Sequence, residues 1–265
     1  MKNTILSHLP ASHPWRGNLH YYASIDSTNL EAKRLAAQGA PHGTILIAEH
    51  QSGGRGRMGR SFHSPAGCGI YLSLLLRPQC QAEQLMHLTC ATAVAMCDAL
   101  EKSVGLRPGI KWTNDLVLGQ RKLGGILTEL GLTASGAVDY AIIGIGINCN
   151  HSLGDFPPEL HPMVTSLALT TGTVVDRAPI AAAMCGALYQ MDQHLLDASY
   201  FLPRYRKSCM TLGKDISLLH ADGSVDHGTA LDVDETGGLV VRFLDGSVKT
   251  VSSGEVSVRG MYGYL

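Results

Sequence analysis

Apolar residues in this 265-residue chain are grouped in short runs separated by polar, glycine-bearing connections. Thr44-Ile45-Leu46-Ile47-Ala48, Gly69 to Arg77, Ile110 to Leu118, Arg121 to Glu129 and Tyr140 to Asn148 read as strands, with Leu19 to Tyr22 as a shorter one. Gly119-Gln120 between two of these runs predicts a hairpin turn. Gly144 and Gly146 inside the last run mark a central strand against which another body packs closely. Helical spacing predicts helices from Thr28 to about Gln38, from Ala82 to about Val104, and from Arg177 to about Ser199, the last capped by Asp176. Shorter helices are expected at 166–171 and 200–206, and the residues before His20 show no period and read as an extended lead-in.

After Cys209 the texture changes to short strands at turn-separated spacing, with Asp222-Gly223, Thr236-Gly237-Gly238 and Asp245-Gly246 as the turns. That is the signature of a small antiparallel barrel. The expected organisation is therefore α+β: a mixed sheet with flanking helices over 1–209 and a small β-barrel over 210–265.

Composition narrows the classes. Apolar residues make up 45%, charged residues 16%, and the formal net charge is −1, so no global field draws the chain to nucleic acid or an anionic membrane. No apolar run approaches the roughly 20 residues needed to cross a bilayer, and the first fifteen residues hold no signal-peptide core, so the expected location is cytoplasmic. The seven cysteines are scattered without a CxxC pair and are expected as reduced thiols rather than zinc ligands.

The candidate chemistry centres on Gly53-Gly54-Arg55-Gly56-Arg57-Met58-Gly59-Arg60, between two strands. Glycines allow close backbone approach and arginines supply forked donors, a combination suited to phosphate or carboxylate. Its formal GxGxxG match fails as a dinucleotide site because no helix follows, and no phosphate-loop pattern is present. Two further polar groups accompany it. Ser27, Thr28 and Asn29 open a helix, where Thr28 and Glu31 fit capping-box spacing; three consecutive hydrogen-bonding side chains serve either capping or a ligand. Lys111, Asn114, Asp115 and Lys122 lie in the apolar hairpin, either on a solvated edge or around a site, with the Gly124-Gly125 pair favouring the site. Loop arginines, a hairpin lysine and flanking Asn, Asp and Glu side chains can screen polyphosphate charge while a carboxylate attacks phosphorus.

The segments DSTN (26–29), GRGRMGR (54–60) with SPAG (64–67), KWTNDL (111–116), RKLGGILTE (121–129) and GIGIN (144–148) occur in the order and spacing of the biotin protein ligase family. The C-terminal unit, with GEVSVR (254–259), resembles that family's SH3-like barrel, and the likeness runs from about residue 20 to the end. The resemblance implies a class II synthetase-like catalytic domain. It also implies a two-step reaction that uses ATP and Mg²⁺ to make biotinyl-AMP and then biotinylates a lysine of a biotin carboxyl carrier protein of acetyl-CoA carboxylase or another carboxylase. It implies that Ser27, Thr28, Asn29 and Gln51 bind the biotin rings, and that Arg55, Gly56 and Arg57 close over biotin and phosphate. Lys122 would stabilise the reacting oxygens, Asp115 would orient or deprotonate the incoming lysine, and Arg57, Arg60, Lys111, Asn114 and Asn148 would attend the nucleotide. Metal ligands are not identified, and the assembly is expected to be a monomer or homodimer.

The family commonly has proline where Thr113 stands, and Gly124 also departs from the usual pattern. Bifunctional members carry a helix-turn-helix domain ahead of the ligase. The roughly twenty-residue lead-in is too short to supply one, so direct DNA binding is not expected. Two alternatives stand: a lipoyl ligase or octanoyl transferase, whose loop reads Arg-Arg before a glycine run, and a non-catalytic biotin sensor, for which Arg57 and Lys122 would be superfluous.

Overall fold

A computed structural model describes residues 1–220, 222–252 and 256–260. Gly254 and Glu255 of the closing GEVSVR segment lie outside the described residues. The larger part is built on a seven-stranded mixed sheet, β1 (Leu19–Tyr22), β2 (Thr44–Ala48), β3 (Gly69–Leu76), β4 (Gly109–Lys111), β5 (Asp115–Leu118), β6 (Arg121–Leu132) and β7 (Val138–Asn148). The order is β1-β2-β3-β7-β6-β5-β4, with β1 and β2 parallel and the other neighbours antiparallel, so β7 occupies the centre as its apolar run predicts.

Side-chain parity sorts the faces. Ile45 and Ile47 on β2, Ile70, Leu72, Leu74 and Leu76 on β3, and Ile143, Ile145 and Ile147 on β7 join the main core. That core also takes in α3 (Leu88–Val104) and α5 (Arg177–Asp192), whose contacting faces are apolar. Leu46 and Ile142 point the other way and pack with Ala32 of α2 (Thr28–Ala37) in a smaller cluster. Tyr71, Ser73, Gly144, Gly146 and Asn148 share that second face; the start of α2 reaches Ser73 and Gly144 through Thr28 and Asn29, and past it the sheet is left open.

Several expected boundaries are corrected. The lead-in contains α1 (Lys2–His8), whose Ile5 is fully buried and which packs on α5, followed by buried Leu9 and Trp15. Seven residues show too few turns for a period, and such a helix is held by tertiary packing rather than propensity. The helix expected from Ala82 begins as a 3₁₀ turn, Ala82–Leu85, before α3. The helix expected to reach Ser199 stops at Asp192, and α6 (Ala198–Ser208) follows; the connection is held by His87 Nε2, 2.9 Å from the Leu195 carbonyl.

The Gly119-Gln120 turn forms as expected, with φ of +53° and +64°. The strand expected over 110–118, however, is two antiparallel strands, β4 and β5. Trp112 and Thr113 between them are gripped from elsewhere: Thr211 Oγ1 accepts from the Trp112 amide at 2.9 Å, and Tyr205 donates to the Thr113 carbonyl at 3.1 Å.

The C-terminal strands β8 (Asp215–His220), β9 (Val225–Val233), β10 (Leu239–Phe243), β11 (Val248–Val251) and β12 (Val256–Gly260) form an antiparallel sheet ordered β11-β10-β9-β8-β12. Ile216, Leu218, Ala230, Leu239 and Val241 alternate inward as half-buried strands require. Among the described residues no pairing between β11 and β12 closes the sheet into a barrel.

Candidate active site

The open part of the sheet forms a cleft of about 280 Å³, walled by the start of α2, the glycine–arginine loop, the β5–β6 hairpin and the segment 156–164. Every candidate residue named from the sequence lies on it: Ser27, Thr28, Asn29 and Gln51 at one end, Arg55, Gly56, Arg57 and Arg60 above, and Lys111, Asn114, Asp115, Lys122 and Asn148 along the floor and far wall.

The α2 end is a polar cluster inside an apolar protein. Ser27, Thr28 and Asn29 are buried, and the expected Thr28–Glu31 capping box does not form. Gln51 Oε1 accepts instead from the Thr28 amide at 2.8 Å and from Thr28 Oγ1 at 3.0 Å. Gln51 Nε2 donates to Ser64 Oγ at 2.9 Å, and Ser64 donates to the Phe62 carbonyl at 2.9 Å. Ser73 Oγ lies 2.6 Å from Asn29 Oδ1 and 2.8 Å from Thr28 Oγ1. Buried polar atoms need such partners. Glu31 pairs instead with Arg34 at 2.7 Å, on the outer side of the helix.

The glycine–arginine loop is a small hairpin rather than slack chain. Phe62 N donates to Gly54 O at 2.9 Å, Gly56 N donates to Arg60 O at 2.7 Å, and Arg57–Gly59 makes a 3₁₀ turn with Met58 at φ +54°. A Cβ on Gly54 would stand 2.3 Å from the Phe62 carbonyl, so only glycine fits that crossing. Arg57 Nη1 donates to Asn114 Oδ1 at 2.9 Å, and Asn114 Nδ2 donates to the Ile126 carbonyl at 3.0 Å, so the loop tip rests on the hairpin. Burial pulls the Arg57 guanidinium below its usual pKa, with the nearby Asp115 charge opposing that effect.

On the hairpin, Lys122 Nζ sits 2.6 Å from Asp115 Oδ1, both groups partly exposed to the cleft. Gly125 borders this pair; a Cβ there would lie in ordinary contact with it, 3.4 Å from Lys122 Nζ and 3.6 Å from Asp115 Oδ1. Lys111 is 3% exposed, too buried for the solvated-edge role that a strand lysine otherwise plays. Asn148 Nδ2 donates to the Thr165 carbonyl at 3.0 Å, while its buried Oδ1 has no hydrogen-bond partner among the described residues. An acceptor in that state is open to a donor from water or a ligand.

The two strand glycines are spaces with named occupants. A Cβ on Gly144 would meet Asn29 Oδ1 at 2.2 Å, and one on Gly146 would meet the Phe62 ring at 2.4 Å.

Sequence reasoning passed over Ser73, Ser64, Phe62 and the wall formed by Phe156, Leu160, Met163 and Val164. The Ser73 hydroxyl inside the apolar β3 run was the available signal, since such a group is costly to bury unanswered. Val258 of β12 also reaches the cleft, a contribution from the C-terminal sheet that no local pattern announces. Among the described residues no group of three or more His, Cys, Asp or Glu side chains is placed to hold a metal, and no helix is long and apolar enough to cross a membrane.

Residues 21–148 match the biotin/lipoate A/B protein ligase family, and residues 211–259 match the biotin protein ligase C-terminal domain. The chain is 34% identical to a bifunctional ligase/repressor of Bacillus spizizenii, covering 91% of this chain and 74% of that protein. It is 34% identical to a biotin–[acetyl-CoA-carboxylase] ligase of Paracoccus denitrificans, covering 83% of this chain and 92% of that protein. Among solved structures, the biotin protein ligase of Aquifex aeolicus in complex with biotin and ATP superposes with a TM-score of 0.77 at 29% identity, over 92% of this chain and 99% of that one.

Proposed function

Because the chain belongs to the biotin/lipoate A/B protein ligase family and carries the C-terminal domain of its biotin-specific members, we propose that it adenylates biotin and transfers it to a carboxylase lysine. The observation that carries this reading is the division of the cleft: a neutral hydrogen-bonding end at buried Ser27, Thr28 and Asn29 and half-buried Gln51, and a cationic end at Arg57 and Lys122. A ureido ring fits the first, which offers donors and acceptors away from water. A carboxylate meeting a triphosphate fits the second.

In the first step a biotin carboxylate oxygen bonds to the α-phosphorus of ATP, the bond from that phosphorus to the bridging oxygen breaks, and pyrophosphate leaves. Lys122 and Arg57 stabilise the negative charge crowded between the two substrates, a preorganised electrostatic effect. Arg55 and Gly56 place the loop over the anhydride, Arg60, Lys111 and Asn114 bear on the phosphates and ribose, and the unanswered Asn148 Oδ1 accepts from the adenine amino group. In the second step the carrier lysine's uncharged amine attacks the biotinyl carbonyl carbon, and AMP departs with the bonding pair. Asp115, released as Lys122 turns to the acyl phosphate, orients that amine and takes its proton.

Magnesium does not fit a site made by this chain: Asp115 is the carboxylate lining the cleft among the described residues, and it is engaged with Lys122. Mg²⁺ therefore belongs to the nucleotide, held by phosphate oxygens and water, and no step above depends on a protein ligand to it.

A division at 209/210 belongs to the same reading. It is supported by the C-terminal family match beginning at residue 211 and by the run of antiparallel strands beginning at Asp215. So does completion of the C-terminal sheet as an SH3-like barrel. The protein partner is a biotin carboxyl carrier domain, the location is the cytoplasm, and the assembly is a monomer or homodimer without a nucleic-acid partner.

The test is biotin-dependent exchange of labelled pyrophosphate into ATP by the purified protein, followed by transfer to a carrier domain. Exchange supported by lipoate or octanoate in place of biotin would overturn the reading.

A further inference from the structure

Glu129 on β6 does not line the cleft, yet it gathers partners from both of its movable-looking walls. It accepts from Asn29 Nδ2 at 2.9 Å, from Lys33 Nζ at 2.7 Å and from Arg55 Nη1 at 3.2 Å. Asn29 and Lys33 stand one turn apart on α2, and Arg55 stands on the glycine–arginine loop, so a single carboxylate ties the helix start to the loop. Burial alone would raise the Glu129 pKa, but the hydrogen bonds from Lys33 and Asn29 and the charges of Lys33 and Arg55 hold it below the usual range.

The Asn29 amide shows what this tie does. Its Nδ2 has two protons, directed to Glu129 Oε2 at 2.9 Å and the Leu127 carbonyl at 3.4 Å. Its Oδ1 accepts from Ser73 at 2.6 Å and retains one further lone pair. A carboxylate accepts only, so Glu129 permits the amide one orientation, with nitrogen toward β6 and oxygen toward Ser73 and the seat at Gly144. Without that charge the amide is free to turn over and present a second donor where a ring N–H needs an acceptor.

We propose that Glu129 is a positioning residue for the ligase reaction: it fixes the Asn29 amide with its oxygen available to a ring N–H and, through Arg55, holds the loop down over the same ligand. The inference rests on the cleft being the biotin site. It adds that recognition of the ring and retention of the loop share one carboxylate, so the two functions weaken together.

Glu129→Gln preserves shape and removes charge. Lys33→Met removes a partner of Glu129 that touches neither ring nor loop, and so reports a merely structural role. Three quantities are read: biotin Kd by calorimetry, amide hydrogen exchange across 53–63 without ligand, and the release of biotinyl-AMP in the absence of carrier. In E129Q, biotin Kd is expected to weaken by about tenfold, the size of one lost charge-assisted hydrogen bond partly screened by solvent. Loop exchange and biotinyl-AMP release are expected to rise by about fivefold on the same grounds, whereas K33M should stay within about twofold of wild type in all three. Glu129→Asp keeps the charge and should recover a measurable part of both effects.

E129Q indistinguishable from wild type, or K33M reproducing the E129Q changes, overturns the proposal. If E129Q does not fold, Glu129→Ala, which also removes the charge, is judged by the same readouts, and wild-type values in that variant overturn the proposal equally. Wild-type protein that binds no biotin removes the reading of the cleft, and the recognition half of this proposal with it. The ligand-free exchange data still decide whether Glu129 holds the loop.

Discussion

The indole Nε1 of Trp112 donates a 2.9 Å hydrogen bond to the carbonyl of Gly237, joining the turn between β4 and β5 to a turn of the C-terminal sheet. Gly237 has φ +84°, and a Cβ there would stand 3.0 Å from Cys90 Sγ on α3, so the contact is close on both sides. Lys111 and Asn114 flank Trp112 and both line the cleft. Trp112→Phe keeps an aromatic ring but leaves the Gly237 carbonyl without its donor. It should cost about 1–2 kcal/mol of stability by denaturant titration. If the latch also sets the β4–β5 turn, KM for ATP should rise while biotin Kd holds; unchanged KM would limit the latch to joining the two sheets.

Lys122 and Arg57 are expected to fail differently. Lys122→Ala removes charge stabilisation at the reacting oxygens and should slow pyrophosphate exchange by about 10²–10³. Arg57→Ala unpins the loop tip from Asn114 Oδ1, a 2.9 Å contact, and should mainly increase the fraction of biotinyl-AMP released before transfer. Rapid-quench separation of bound and free adenylate distinguishes them, and equal defects in both steps would contradict the division of labour.

Gly146→Ala places a methyl group 2.4 Å from the Phe62 ring. The ring must move, at a cost of about 1–3 kcal/mol typical of overpacking, and the loop base moves with it. Combining Gly146→Ala with Phe62→Leu should restore part of the stability and of the biotin affinity. Additive losses in the double variant would show that the ring is not what the glycine accommodates.

Much of this site was legible because its residues sit at breaks in strong patterns. The strands 44–48, 69–76 and 138–148 are apolar enough to be placed directly, and the glycines inside the last, like Lys111, Asp115 and Lys122 in the neighbouring apolar hairpin, are anomalies that point to a ligand. What was not legible is decided by tertiary partners. Trp112 and Thr113 carry no local turn signal, and Thr211 and Tyr205, about a hundred residues later, impose the break between β4 and β5. The α1 helix is too short to show its period. Thr28 and Glu31 satisfy capping spacing, yet both side chains take other partners, the buried Thr28 hydroxyl donating to Gln51 Oε1 at 3.0 Å and Glu31 pairing with Arg34.

Stability should rise with pH between about 4 and 6.5. Burial pulls the His151 pKa from 6.5 to about 4; its ring stacks on Phe156 at 4.9 Å, and its buried Nδ1 has no hydrogen-bond partner among the described residues. His13 and His87 are lowered by burial too. In this interval the unfolded chain takes up protons that the folded protein refuses, so acid favours unfolding. Below the folded value both states are protonated and the effect levels off. Denaturant titrations across this range should show the slope, and His151→Gln should flatten it by an amount on the order of 1–3 kcal/mol over the interval. Glu129 acts in a lower window: its depressed pKa adds stability that is lost only as pH falls below 4.5.

Gly144 and Gly146 stand two residues apart on the same face of β7, one cradling Asn29 and the other Phe62. Two residues of strand span about 6.7 Å, a length set by the pleat and not by any side chain. The distance from the ring-binding end to the loop is thus gauged by backbone geometry, as if marked on a ruler. If biotin lies in the cleft as proposed, its acyl arm would have to match this spacing. Altering tolerance for arm length would then require shifting the β7 register, which the pairing of β7 with β3 and β6 on either side forbids.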